Sequence, residues 1–283
     1  MDSWQGQVAV VTGAASGIGR GLARHCLGLG MTVIATDVDG AGLDDLSRSC
    51  DGAARLATHI VDVSDEAAVE ALAQRVFDQH GRVNLLFNNA GVLVDGKSWE
   101  RSSRDWRWLL DVNVMGVVHG IRAFVPRMLK QGEAARVVNT SSIGGLLGGG
   151  AYMALYQGTK HMVTAISESL FQELALEPEP VSVSVLCPAE VATGIWESDR
   201  LRPEAERNVL GSEAEQQTHD MIAQGVAAGL NCDEFSQRVF EGIDAGKFWL
   251  LPQPDFKPMF AARTESIMDE TQPRSMMELL GLR

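Results

Sequence analysis

The chain predicts an α/β fold: one doubly wound parallel sheet of about seven strands, with helices on both faces. Short aliphatic and β-branched runs alternate about seven times with longer segments of helical period, the pattern of parallel strands joined by crossover helices. The strand runs are almost continuously apolar, as expected of strands covered on both faces. The first run, Gln7 to Thr12, passes straight through a glycine-rich turn into a helix. No internal repeat, charge block or linker divides the 283 residues, so residues 1–283 are expected to form a single domain.

Composition narrows the function classes. Hydrophobic residues make up 45% and charged residues 22%, enough for a sizeable core. The net charge of −13 argues against binding a nucleic-acid backbone or an anionic membrane, both of which need basic patches. Cys26, Cys50, Cys187 and Cys232 are scattered, without CxxC or Cys/His spacing; reduced thiols and no metal site are expected. The first residues lack the basic and apolar regions of a signal peptide, and no apolar run approaches the ~18 residues of a membrane span. A soluble, cytoplasmic protein is expected.

The strand Gln7–Thr12 meets Gly13-Ala14-Ala15-Ser16-Gly17-Ile18-Gly19, then a helix with Leu22, Cys26 and Leu29 on one face. Strand, glycine turn and helix bring backbone N–H groups and a helix N-terminus up to a pyrophosphate. A second strand, Thr32–Thr36, ends at Asp37, eighteen positions beyond Gly19. A carboxylate there meets the adenosine ribose hydroxyls of NAD and repels the extra phosphate of NADP. Ala15 and Val38 supply no compensating cation, and Arg20 is expected to face solvent; NAD is the expected cofactor. The lesser alternative for Asp37 is a solvated turn residue at a strand end.

Ala41–Ser49 reads as a helix and His59–Val61 as the third strand. Asp62 is placed either to accept from an adenine amino group, with Val63 along the ring, or only to cap the Ser64–His80 helix, for which Ser64 is the expected N-cap. Val83–Phe87 is the fourth strand and ends in Asn88-Asn89-Ala90-Gly91, where small residues and amides permit close backbone approach. A long helix from Trp99 to Lys130 carries Asn113 between apolar neighbours. Arg136–Thr140 is the fifth strand, leading to Ser141-Ser142 and the glycine-rich loop Gly144–Gly150.

Tyr156-Gln157-Gly158-Thr159-Lys160 lies at the start of the next helix. Tyr156 and Lys160, four apart, project from one helical face. A phenol titrates near pH ~10 on its own, and an adjacent ammonium is expected to draw it towards the working range. After the breaks at Pro178 and Pro180, Val181–Leu186 forms the sixth strand and leads to Pro188, Val191 and Thr193. Residues 194–229 are polar with few strand signals, a candidate lid. Lys247–Leu251 is the last strand, and 253–283 is a C-terminal extension with Met268, Met276 and Met277.

Together these pieces resemble the short-chain dehydrogenase/reductase family over about residues 6–252, with its Rossmann-type fold. The matching residues are TGAASGIG at Thr12–Gly19, NNAG at Asn88–Gly91, Asn113-Val114-Met115-Gly116, Ser142, and Tyr156 with Lys160, in the family's order. The resemblance implies a catalytic tetrad of Asn113, Ser142, Tyr156 and Lys160, with Ser141 the lesser candidate for the serine. It implies cofactor contacts from Gly13, Ser16, Gly17, Ile18, Gly19, Asp37, Asp62, Val63, Asn89, Ala90, Gly91, Thr140, Tyr156, Lys160, Pro188, Val191 and Thr193. Tyr156 would carry the substrate proton, Ser142 would hold the substrate oxygen, Lys160 would lower the phenol and hold the nicotinamide ribose, and Asn113 would anchor a water.

There are two departures. Ser142 stands one residue further from the tyrosine than is usual, and Pro188 is followed by Ala189 where the family has glycine. Tyr152 lacks a lysine four residues on and is expected to wall the pocket, with Leu93, Val94, Leu146, Leu147, Met153 and Trp196. Such a wall suits a bulky apolar or aromatic secondary alcohol or its ketone. FVPRM at 124–128, SDRLRP at 198–203 and FWLLP at 248–252 are similar to bacterial members that oxidise benzylic alcohols in lignin-derived aryl ethers. The resemblance also implies a homodimer or homotetramer. The same motifs would serve a catalytically silent NAD-binding scaffold or sensor, or a dehydratase or epimerase of this fold.

Overall fold

The computed structural model describes residues 4–50, 53–148, 150–275 and 278. Seven parallel strands form one sheet: β1 Val8–Thr12, β2 Thr32–Asp37, β3 Leu56–Ile60, β4 Leu85–Asn88, β5 Ala135–Thr140, β6 Val181–Leu186 and β7 Trp249–Leu250. Their spatial order is β3-β2-β1-β4-β5-β6-β7. The chain winds outwards from β1 to one edge, then returns to β4 and winds to the other. This reversal between β1 and β4 opens a crevice at the carboxyl ends of the strands, where ligands of such sheets bind.

Every residue of β1 and β4 is buried, as their apolar runs predict. The edge strands depart from expectation. β3 starts at Leu56, paired with Val33 of β2, and Val61 lies beyond it. Having one neighbour only, it keeps a half-exposed surface and little apolar signal. β7 is two residues long because it pairs with Val185 and Leu186 alone.

One core packs α1 (Gly17–Gly28), α2 (Gly40–Ser49) and α8 (Cys232–Asp244) on one face through Leu22, Leu46, Phe87, Phe235 and Phe240. The other packs α3 (Glu66–His80), α5 (Gly116–Gln131) and α6 (Ala154–Leu174) through Leu72, Val76, Phe124, Met128 and Leu170. Each large side chain fully buried there contributes roughly 1.5–3 kcal/mol. The N-cap of α3 is Asp65, whose carboxylate accepts from Ala67 and Ala68; Ser64 bonds Asp62 instead.

The long helix expected from Trp99 starts at Ser103, behind a capping box of Ser102 and Asp105, and has three parts: α4 (Ser103–Leu109), a π-helical segment (Leu110–Met115) and α5. Trp99 stands outside it, 81% exposed. The stretch Ser103–Gln131 is long and apolar enough to cross a bilayer by length and composition, which the sequence reading did not anticipate. Here it is the core helix over the sheet, with Ala123, Phe124, Val125 and Met128 buried. Residues 194–229 hold two short 3₁₀ turns (Ile195–Leu201, Glu204–Glu206) and α7 (Glu213–Ala227). In the extension, α9 spans Lys257–Met268; Met276 and Met277 lie outside the described residues.

Candidate active site

The turn after β1 is built for close approach. Gly13 and Gly17 have φ of 69° and 52°, backbone that glycine adopts without strain. A Cβ on Gly13 would fall 2.8 Å from the Ala90 Cα, and one on Gly19 only 2.0 Å from the Gly13 oxygen. Thr12 fixes the neighbouring strand end: its hydroxyl accepts from the N–H groups of Asn89 (2.8 Å) and Ala90 (3.0 Å). The Asn89 amide donates to the Thr12 carbonyl (3.0 Å) and accepts from Thr140 (3.4 Å). Ser16, the N-cap of α1, makes no capping bond, so the first N–H groups of the helix face the crevice unspent.

Asp37 closes the adenosine end. Its carboxylate accepts from Ala15 N (2.9 Å) and Asp39 N (3.0 Å), which holds it at the cavity rim. Arg20 does not simply face solvent. It pairs with Asp45 at 2.7 Å and donates to the carbonyls of Ala15 and Gly42. Its guanidinium is thus committed between α1 and α2, away from a nucleotide. Asp62 is exposed, with Oδ1 taken by the backbone and hydroxyl of Ser64; Val63 is buried against Gly116. The cradle that side chains would fill, the uncapped helix and the rim carboxylate fit a dinucleotide.

At the other end, Asn113, Ser142, Tyr156 and Lys160 come together. Lys160 is 2% exposed; its ammonium donates to the Thr140 carbonyl at 2.9 Å and lies 5.7 Å from the Tyr156 ring centre. Asn113 sits in the π-helical segment, an irregularity common at functional sites. It clasps Val92 by N–H (2.8 Å) and carbonyl (2.9 Å) and donates to Thr159 (3.0 Å). Gly91 brings these groups together: a Cβ there would lie 3.3 Å from Lys160 Nζ and 3.4 Å from Asn113 Oδ1.

The two serines separate cleanly. Ser141 is 1% exposed, and its hydroxyl is spent on the Lys160 carbonyl and Thr164, both at 2.8 Å. The Ser142 hydroxyl accepts from Gly144 N (3.0 Å), donates to the Pro188 carbonyl (3.5 Å) and lies at the cavity beside Tyr156. Burial pushes the Tyr156 phenol up to about 12, against a weaker downward pull from the neighbouring Ser142. This corrects the expectation of a phenol drawn down by lysine. Taken out of water, the ammonium is itself destabilised: burial lowers Lys160 to about 8.

Both ends open into one cavity of about 750 Å³, lined by every cofactor and catalytic position predicted from the sequence except Asn113, which stands behind Gly91 and Val92. Leu93 and Met153 belong to its wall; Val94, Leu146, Leu147, Trp196 and Tyr152 do not. Tyr152 is held in left-handed backbone at φ 64°, its carbonyl accepting from Gly96. Trp196 packs edge-on against His219, 6.4 Å between ring centres. Their places are taken by Trp108, Ile143, Met221, Ile222, Val226 and Phe256. In α7 the spacing was legible: Thr218, Met221, Ile222, Gly225 and Val226 form one helical stripe hidden in a polar segment.

Most charges of the 194–229 segment pair away from the cavity, Arg200 at its rim being an exception. Arg202, its side chain 3% exposed, pairs with Asp105 (2.8 Å) and Asp199 (3.2 Å) and lies over the Trp108 ring at 4.7 Å. Glu215 accepts from Lys97 N (3.0 Å), Gly211 N (3.1 Å) and Ser212 (2.9 Å). His219 meets Asp95 at 3.0 Å.

A dinucleotide crevice ending in a tyrosine, lysine and serine at the floor of an apolar cavity defines a nicotinamide-dependent oxidoreductase. The model of the short chain dehydrogenases matches residues 7–204, and the chain belongs to that family. A crystal structure of a short chain dehydrogenase/reductase from Burkholderia phymatum, in complex with NAD, is 39% identical; the match covers 97% of this chain and 99% of that one, with a TM-score of 0.92. C alpha-dehydrogenase of a Sphingobium species is 29% identical over 96% of this chain and 89% of its own length. The 1-deoxy-11-beta-hydroxypentalenate dehydrogenase of Streptomyces exfoliatus is 38% identical over 67% and 69%.

Proposed function

We propose that the protein is an NAD-dependent dehydrogenase that oxidises a bulky apolar or aromatic secondary alcohol, or reduces the corresponding ketone, with Tyr156 as acid and base. One observation carries the reading: Tyr156, with Ser142 beside it and the buried Lys160 ammonium 5.7 Å from its ring centre, lines a cavity with a largely apolar wall. NAD, bound along Gly13–Gly19, Asp37, Asp62, Val63 and Asn89–Gly91, supplies the hydride chemistry. Asp37, with no free cation beside it among the described residues, favours NAD over NADP.

The rest follows from the chain's own groups. In ketone reduction the neutral Tyr156 phenol gives its proton to the oxygen on which negative charge develops, and Ser142 donates a hydrogen bond to that oxygen. In oxidation the phenolate takes the hydroxyl proton. Its formation from a phenol held at about 12 is aided by the nearby ammonium. Asn113 Oδ1 accepts one bond, from Val92, and a carbonyl can accept two; the second lone pair, beside Gly91, suits a water leading from Lys160 to solvent. Pairing of like chains into a homodimer or homotetramer is supported by exposed Met115, Met162 and Phe171 on the long helices. A cytoplasmic setting is supported by the four free cysteines.

The test is a screen of aryl, steroid and aliphatic secondary alcohols with NAD and NADP. NADH formation fastest with bulky aryl or alicyclic substrates supports the reading. NADH bound without turnover indicates a silent scaffold, and substrate consumed without net NADH a dehydratase or epimerase.

A further inference from the structure

Gln157, next to Tyr156 on α6, is 9% exposed and lines the same cavity. Its Oε1 accepts from Gly150 N at 3.3 Å. Only an oxygen can accept from that N–H, so the amide orientation is fixed. Nε2 has no hydrogen-bond partner among the described residues. Gly150 leaves it room: a Cβ there would fall 2.6 Å from Nε2. Gln157 lines the cavity, so a bound ligand that offers Nε2 an acceptor gains a net hydrogen bond.

Three other polar side chains that line the cavity with Gln157 are engaged. Ser198 donates to the Ile195 carbonyl and accepts from Leu93 N, and Thr218 donates to Ala214. Arg200, exposed at the rim, binds the carbonyls of Gly194 and Glu197.

We propose that Gln157 is a specificity-determining residue: its Nε2 donates to a second, uncharged acceptor oxygen, ether or carbonyl, that the substrate carries beside its carbinol carbon. This rests on the dehydrogenase reading and narrows its substrate class to oxygenated secondary alcohols.

The test compares two probes, a phenyl carbinol bearing a methoxymethyl group and its isostere bearing propyl, and their two ketones. Gln157→Met should lower the ether-to-propyl ratio of kcat/KM about tenfold, the worth of one net hydrogen bond. Gly150→Ala, which crowds Nε2, should lower the ratio in the same direction. Gln157→Glu keeps an acceptor for Gly150 but loses the donor, so it should behave like the methionine variant. Restoration of the wild-type ratio by glutamate would show that Gln157 serves only the Gly150 loop and would overturn the proposal, as would a ratio unmoved by methionine. Calorimetric affinities of the two ketones give the same comparison without turnover. If neither alcohol reduces NAD, the dehydrogenase reading fails, while the ketone affinities still decide whether Gln157 reads the oxygen.

Discussion

The Ser142 hydroxyl lies beside Tyr156 at the cavity, while Ser141, one residue earlier, turns the other way and donates to the Lys160 carbonyl. Alternation along the extended backbone after β5 puts adjacent side chains on opposite sides, so only one serine reaches the site. Ser142→Ala should lower kcat by roughly 10²–10³, the usual cost of one donor to a developing oxyanion. Ser141→Ala should cost far less activity but about 1 kcal/mol of stability through its two buried hydrogen bonds. Steady-state rates and urea melts of both variants check this; the reverse ordering of rates would reassign the serine.

Lys160 is a buried cation, 2% exposed. Its folded pKa is about 8 against an ordinary 10.5. Between those values the unfolded chain binds the extra proton, so stability rises with pH from about 8. Above about pH 10 the raised Tyr156 opposes that rise. Lys160→Met should be inactive, more stable than wild type at neutral pH by up to about 3 kcal/mol, and without the pH-dependent rise. Urea denaturation across that window measures it. An unaltered pH profile would show that Lys160 keeps an ordinary pKa.

Asp37→Ala should weaken NAD binding roughly tenfold to a hundredfold, the range for hydrogen bonds to a charged group, and narrow the advantage over NADP. Fluorescence titration with both reduced cofactors reads the effect. A wild type that already prefers NADP would contradict the assignment.

Arg202 anchors the 194–229 segment to Asp105 and Trp108. Arg202→Ala leaves Asp105 without its cation and uncovers Trp108, and removing one partner of a buried pair typically costs about 3–5 kcal/mol. Limited proteolysis should then cut within 194–229 well before the sheet. A cleavage rate equal to that of wild type would show that this pair does not hold the lid.

The strands at the centre of the sheet and the glycine turn were legible because their constraints are local, apolar runs and turn residues, whereas the grouping of Asn113, Ser142, Tyr156 and Lys160 came from the family resemblance. Arg20 and Tyr152 were misplaced because their positions depend on partners remote in the chain, Asp45 and Gly96. The polar lid hid its cavity stripe, since Arg202 and Glu215 look solvated in sequence and become buried only when Asp105 and Lys97 close on them. The pKa of Tyr156 was misjudged for a related reason. Spacing shows which charge is near, but not how much water has been removed.

The central claim is that Tyr156 moves the proton, and Tyr156→Phe tests it most directly. The variant should bind NADH as wild type does, by fluorescence titration, while turnover of every alcohol accepted by wild type falls below detection. Turnover within a few-fold of wild type, with NADH binding intact, would contradict the account.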